Sequence, residues 1–222
     1  MADKVSTKSP IQTRREEEKE QRRQAILDAA EEVIAKVGWD GMNFGEIAKR
    51  TRLSRSLVYF YFPTREELFH AVCGRGMANL ERRFSLALGR HAKGIDQLMA
   101  MGRAYHAFSL EEPLYFSMIS HLQAQEHNME NQSEAEEVAH GHGMSCLGLV
   151  VQALTNGIAD GSIRKSVGDP RASAVAVWAF THGLIQISAQ KGAMLKEEFK
   201  LSGKQTLEHG FGLLRDSLSG DV

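Results

Sequence analysis

The side chains able to do chemistry fall into two groups. The first is the run LSRSLVYFYFPTREEL at 53–68, where Arg55 and Arg65 bracket Tyr59, Phe60 and Tyr61. Between Asn43 and Arg65, five cations (Lys49, Arg50, Arg52, Arg55, Arg65) face Glu46 alone. Guanidinium groups beside hydroxyl-tipped rings suit nucleic acid. Arg takes guanine O6 and N7 together, and Tyr, Ser and Thr hydroxyls reach phosphate oxygens. The second group is histidine: His121, His127, His140, His142 and His182, with Glu136 and Glu137 close by in sequence. His140-Gly-His142 is the sharpest metal-like pattern. On a helix, however, two residues of spacing turn the rings about 200° apart, so one ion cannot take both. There is no H-E-x-x-H and no cysteine cluster. The reading is no metal and no cofactor.

An acid–base enzyme built on His182, or on His140 and His142 with Glu136 and Glu137, is the rival class. The sequence gives it no nucleophile motif, no carboxylate–histidine spacing of a di-iron bundle and no phosphate loop.

Composition locates the anion site. The 222 residues carry a net charge of −1, so there is no global polycation. Residues 1–65 hold 13 Lys/Arg against 10 Asp/Glu, and the remainder 14 against 18. The excess of positive charge is local and N-terminal. Cys73 and Cys146 lie far apart and read as reduced thiols. The N-terminus has no apolar h-region and no run of 18 apolar residues occurs, so a cytoplasmic protein without a membrane partner is expected.

The elements that must position these residues are helices. Residues 1–12 read as a disordered arm. Thr13-x-x-Glu16 has capping-box spacing, and Ile26, Ala30, Val33 and Val37 follow at helical spacing up to a stop at Gly38. Asn43-x-x-Glu46 opens a short helix that fails near Thr51 and Arg52. Ser54 caps another, which ends before Pro63, and Thr64-x-x-Glu67 opens a long one towards Arg90. The β-rich stretch VYFYF is thus confined to a short helix between two starts. Helix, short helix, break, short helix, long helix is the layout of a helix-turn-helix with its supports. Further helices are expected from Gly94, from Pro113, over 134–159 after a polar loop and a start at Ser133, over 170–190, and over 204–218. The fold class is all-α, with about nine helices. Its domains are a helix-turn-helix DNA-binding domain over 13–68 continuing into a linking helix 65–90, then a second helical domain over 91–222.

Residues 22–69 resemble the DNA-binding domain of the TetR family of transcriptional regulators. The carriers are ILDAAEEVIAKVGWDGMN, the Ile47-Ala48 pair, Leu53-Ser54, Tyr59-x-Tyr61-Phe62 and Glu66-Glu67-Leu68. One departure is Arg52, at a turn where the family usually has Gly with φ > 0. Arg there implies strain of about 1 kcal/mol or a different turn. The region 95–218 is similar, more loosely, to the family's ligand-binding domains. That similarity implies a helical effector cavity and a dimer built from the last two helices, making 91–222 the expected effector-binding and dimerisation domain.

On a helix at 100° per residue, Val58 and Phe62 share a face that can meet the core, while Arg55, Ser56 and Leu57 point outward. Arg55 is the candidate guanine reader, and Leu57 can meet a thymine methyl. Phe60 is expected against sugar or methyl. The resemblance implies that Tyr59 and Tyr61 reach phosphates, and Arg65 beside Thr64 would clamp another. Asn43, Ser54 and Arg52 complete the expected DNA surface. Arg22 and Arg23 read either as a minor-groove arm or as a solvated helix face. Tyr105, Phe108, Tyr115, Phe116, Met118, Leu122, Trp178, Phe180 and His182 form the expected effector lining, implying a mainly apolar small molecule. Ala174, Ala179 and Gly183, with Leu207 and Leu214, are the expected dimer contacts. The partners are then double-stranded DNA, an effector and a second copy of the chain. A regulator acting through a protein partner remains the alternative.

Overall fold

The computed structural model describes residues 10–124 and 132–220, and the chain divides after Val72 into two compact units. His127 lies outside the described residues, as does most of the expected polar loop.

The first unit holds α1 (Pro10–Gly41), α2 (Phe44–Thr51), α3 (Arg55–Tyr61) and the beginning of α4 (Arg65–Gly89). The α1 helix starts at Pro10 rather than Thr13, so residues 10–12 of the expected arm are helical; residues 1–9 are outside the described range. Proline suits a helix start, because the N–H it lacks would have had no intrahelical partner. Gly38, at φ 75° and ψ 169°, breaks α1 near its end. Ile26, Ala30 and Val33 are buried, but Val37, expected with them, is exposed: it sits in the last turn, against the Gly38 break. The unit's core joins Ile26 and Val33 of α1 to Ile47 of α2, Val58 of α3, Phe62 and Leu68. The short α2 and α3 are below the length at which a helix stands alone, and burying Ile47, Val58 and Phe62 at about 1.5–3 kcal/mol each supplies what their length does not.

The second unit takes up the rest of α4 and adds α5 (Gly94–Glu111), α6 (Pro113–Gln123), α7 (Glu134–Asp160), α8 (Pro170–Gln190), α9 (Gly192–Glu198) and α10 (Gly203–Leu218). That makes ten α-helices among the described residues where about nine are expected. The extra one is α9, a two-turn helix after the interruption expected at Gly192. No strand is formed among the described residues; one isolated antiparallel bridge pairs Ile163 with Ser219. The predicted starts hold. Ser133 accepts from the Glu136 N–H, Pro113 and Pro170 occupy the first helical turns, and Gly161 ends α7 at φ 78°.

The α5 helix is central, packing on α6, α7, α8 and α10. Its first N–H groups are capped from another element: Gly94 donates to the Asp160 carboxylate at 2.8 Å and Ile95 to Ser162 Oγ at 3.1 Å. The Ser162 side chain, and then the Gly94 and Ser162 N–H groups, hydrogen-bond the Asp160 carboxylate and hold it below its usual range. Gly94 has to be glycine, because a Cβ there would overlap the backbone of Gly157. Arg215 of α10 donates to Asp96 of α5 at 2.9 Å. The α8 helix, with mean hydropathy 1.3, is long and apolar enough to cross a membrane by length and composition alone, which no uninterrupted apolar run announced. Here it packs on α7 and α10 through Ala174, Val177, Thr181, Ile185 and Ser188.

Candidate nucleic-acid interface and effector region

Three side-chain caps set the interface. Asn43 Oδ1 accepts from the Glu46 N–H at 3.0 Å, Ser54 Oγ from the Leu57 N–H at 3.2 Å, and Thr64 Oγ1 from the Glu67 N–H at 3.1 Å. Each satisfies a donor that the helix itself cannot, a contribution of about 1 kcal/mol. Asn43, Ser54 and Thr64 therefore act first as caps, on exposed sites.

Between the first two caps stands Arg52. It adopts φ 55° and ψ 32°, the left-handed geometry, so the turn is the one expected for glycine, occupied by arginine. The Arg52 and Leu53 N–H groups return to the Lys49 and Ala48 carbonyls at 3.4 and 3.0 Å, closing α2 in the manner of a Schellman cap. Those bonds and the buried helices on either side hold the strained residue in place. The Arg52 side chain is exposed.

The α3 helix divides as its periodicity requires. Val58 and Phe62 are 0% and 1% exposed, and Arg23 of α1 lies over the Phe62 ring at 5.1 Å. Arg23 is thereby a packing residue rather than a reaching arm. Arg55, Ser56, Tyr59 and Phe60 are exposed; Leu57 and Tyr61 are half-buried. Phe60, at 67% exposed, is among the barest large apolar side chains of the chain. It meets Tyr61 edge to face at 5.4 Å, while Tyr59 lays its ring on Phe44 at 4.6 Å. The two tyrosines are thus packed by their rings. Ser56 Oγ shares a hydrogen bond with Ser54 Oγ at 2.9 Å. Among the described residues, Lys49, Arg52, Arg55 and Arg65 have no carboxylate partner within ion-pair distance, whereas Arg50 is held by Glu46 and Glu32. The surface therefore keeps a positive charge available for phosphate.

One positioning group was not legible in the sequence. Trp39 carries Arg65, which stacks on its ring and donates to its carbonyl oxygen. The pair shares no local spacing signal: Trp39 and Arg65 are 26 residues apart.

In the second unit, the structure brings four expected lining residues together. Tyr105 of α5 meets Phe116 of α6 at 5.7 Å, Phe108 at 6.4 Å and His182 of α8 at 6.0 Å. Phe84 of α4, not anticipated, adds an edge-on contact to Tyr105 at 6.2 Å. The Tyr105 hydroxyl and His182 Nδ1 are hydrogen-bonded at 2.8 Å. Burial pushes the Tyr105 phenol up and the His182 imidazole down, so both are neutral at pH 7. Met118 is buried; Tyr115 and Leu122 are half-buried, and Gly76 admits the Tyr115 ring where a Cβ would stand 2.8 Å from Tyr115 Cβ. Trp178 and Phe180, expected in the lining, are each 40% exposed. They lie off the face of α8 that carries Ala174, Val177 and Ile185 into the core.

Two expected dimer contacts are corrected in the same way. Ala174 and Leu207, 0% and 6% exposed, belong to their own unit's core. Leu214 packs half-buried against that core, whereas Ala179 is exposed and Gly183 partly so. Among the histidines, His142 Nδ1 pairs with Glu81 at 2.6 Å. No group of three potential metal ligands occurs among the described residues.

A caps-and-turn pair of short helices with an exposed cationic, aromatic second helix, joined to a separate helical unit, defines a helix-turn-helix regulator. Residues 26–72 match the family described as bacterial regulatory proteins, tetR family, and residues 98–209 match the tetracyclin repressor-like C-terminal domain. The chain belongs to the TetR family of DNA-binding transcriptional regulators and is not an enzyme. It is 25% identical over 142 residues to the fatty acid metabolism regulator protein of Bacillus subtilis (strain 168), covering 64% of this chain and 71% of that one. Its fold is shared by AibR, solved with isovaleryl coenzyme A and operator DNA (TM-score 0.63, 20% identity, 86% of this chain and 97% of that one). It is also shared by FadR from Bacillus subtilis, solved with stearoyl-CoA (TM-score 0.67, 17% identity, 88% and 98%).

Proposed function

We propose that this regulator is a repressor that binds a pseudo-palindromic operator as a homodimer and is released by an acyl-CoA. The observation that carries the DNA half is the outward face of α3. Arg55, Ser56, Tyr59 and Phe60 are exposed together, while Val58 and Phe62 anchor the helix from behind. Arg55 reads guanine, Arg65 and the tyrosine hydroxyls contact phosphate, and Phe60 meets sugar or a thymine methyl. Such a protein works in the cytoplasm, on the chromosome.

Dimerisation is supported by the apolar side of α8 that its own unit leaves open. Val175, Phe180 and Ile187 are 47%, 40% and 51% exposed there, beside Ala179 and Gly183, and Leu213 of α10 is 53% exposed. Paired across a twofold axis, these faces would bury one another and set two α3 helices about 34–36 Å apart or a multiple of that.

The effector class is supported by the aromatic wall of Tyr105, Phe108 and Phe116, and by the acyl-CoA ligands of AibR and FadR. An acyl-CoA that binds the wide-spaced dimer better than the DNA-fitting one lowers DNA affinity by the same linkage factor. The test is electrophoretic retardation on the DNA flanking the protein's own gene, with and without acyl-CoA. Retardation that acyl-CoA abolishes is expected. Retardation unaffected by acyl-CoA, with a stable protein partner recovered instead, favours the adaptor alternative.

A further inference from the structure

The Tyr105–His182 pair has one hydrogen-bonding position left over. Tyr105 is 4% exposed, and among the described residues its hydroxyl is hydrogen-bonded to His182 Nδ1 at 2.8 Å. A buried hydroxyl has to place its proton on an acceptor, so the phenol's proton is directed to Nδ1. A neutral imidazole that accepts at Nδ1 carries its proton on Nε2. Among the described residues, Nε2 has no hydrogen-bond partner, and His182 is half-buried, its ring 5.5 Å from Phe116.

We infer that the His182 Nε2–H, oriented through Tyr105, is the donor that receives an uncharged carbonyl oxygen of the effector, the thioester carbonyl of an acyl-CoA. The inference rests on the effector reading above and names the group by which that ligand is recognised. A neutral donor against an aromatic wall suits a carbonyl. It does not suit a carboxylate, whose charge would be desolvated without a cation. Arg83, over the Phe108 ring at 5.6 Å, is already held by Glu111 and Glu112.

The test compares lauroyl-CoA with S-dodecyl-CoA, the thioether that keeps chain and nucleotide but lacks the carbonyl, by calorimetry on the full chain. Wild type is expected to bind the thioester about tenfold more tightly. His182→Phe should abolish that preference, so that the ratio of the two affinities falls to about one. Tyr105→Phe, which keeps the ring, should reduce the preference in part, with an unaltered melting temperature excluding general damage. Equal binding of the two ligands by wild type overturns the inference and leaves the effector reading standing. So does a preference that survives His182→Phe. Binding of neither ligand overturns both.

Discussion

The Arg65 guanidinium carbon lies 5.0 Å above the Trp39 ring centroid, and Nη2 donates to the Trp39 carbonyl oxygen at 2.9 Å. A long side chain at the start of α4 is thereby held in one orientation before any ligand arrives. Its remaining N–H groups are spared the entropy of being ordered on binding. Arg65→Ala should weaken binding to all DNA sequences alike and flatten the salt slope by about one. Trp39→Leu should give a smaller loss of the same kind. Fluorescence-anisotropy titrations at several salt concentrations check both.

Arg52 sets stability against binding. Replacing it with glycine removes the left-handed strain of a side chain at φ 55° and should stabilise the protein by about 1 kcal/mol. It also deletes an exposed cation from the proposed DNA surface, so affinity should fall. Denaturant midpoints and DNA titrations on Arg52→Gly should move in opposite directions.

Much of the DNA-binding unit was legible because its signals are local. Asn43, Ser54 and Thr64 each cap an N–H three residues on, and these pairs can be read by eye from spacing alone. They also overrode the β propensity of Val58 to Phe62. Exposure was less legible, because it depends on which neighbour arrives across the fold. Ala174 and Ala179 are both small residues of one helix, yet one is buried and the other exposed. The spacing of small residues marks a close approach without saying to what. Trp178 shares its helix with His182, but α8 turns only the latter against the aromatic cluster. Trp39 acts on a partner distant in sequence, Arg65, so no motif announces it.

Gly183 offers a clean probe of the second-copy interface. A Cβ there meets nothing within 4 Å in its own protomer, and Gly183→Leu should gain about 0.5–1 kcal/mol of helix stability. On the apolar side of α8, the same side chain should obstruct a partner. Light scattering should show wild type as a dimer and Gly183→Leu as a monomer with an intact far-ultraviolet spectrum. By contrast, Gly94→Ala should destabilise the fold by about 1–3 kcal/mol through overpacking against α7.

Both cysteines are buried, and burial pushes each thiol up to about 12. The folded state holds the proton above the ordinary thiol value of 9.0, so this contribution to stability is complete below pH 9 and is lost as pH rises towards 12. Ellman's reagent at pH 8 should find almost no reactive thiol in the native protein, and two after denaturation. Rapid native labelling of either would contradict the buried placement.

The central claim is that α3 reads DNA through Arg55. The direct measurement is binding of wild type and Arg55→Ala to the protein's own upstream DNA and to a scrambled duplex of equal length. Wild type should prefer the upstream site strongly. Arg55→Ala should lose about 1–3 kcal/mol of that preference per half-site while keeping its affinity for scrambled DNA nearly unchanged. Absence of retardation at low salt, or an Arg55→Ala variant matching wild type on both duplexes, would contradict it.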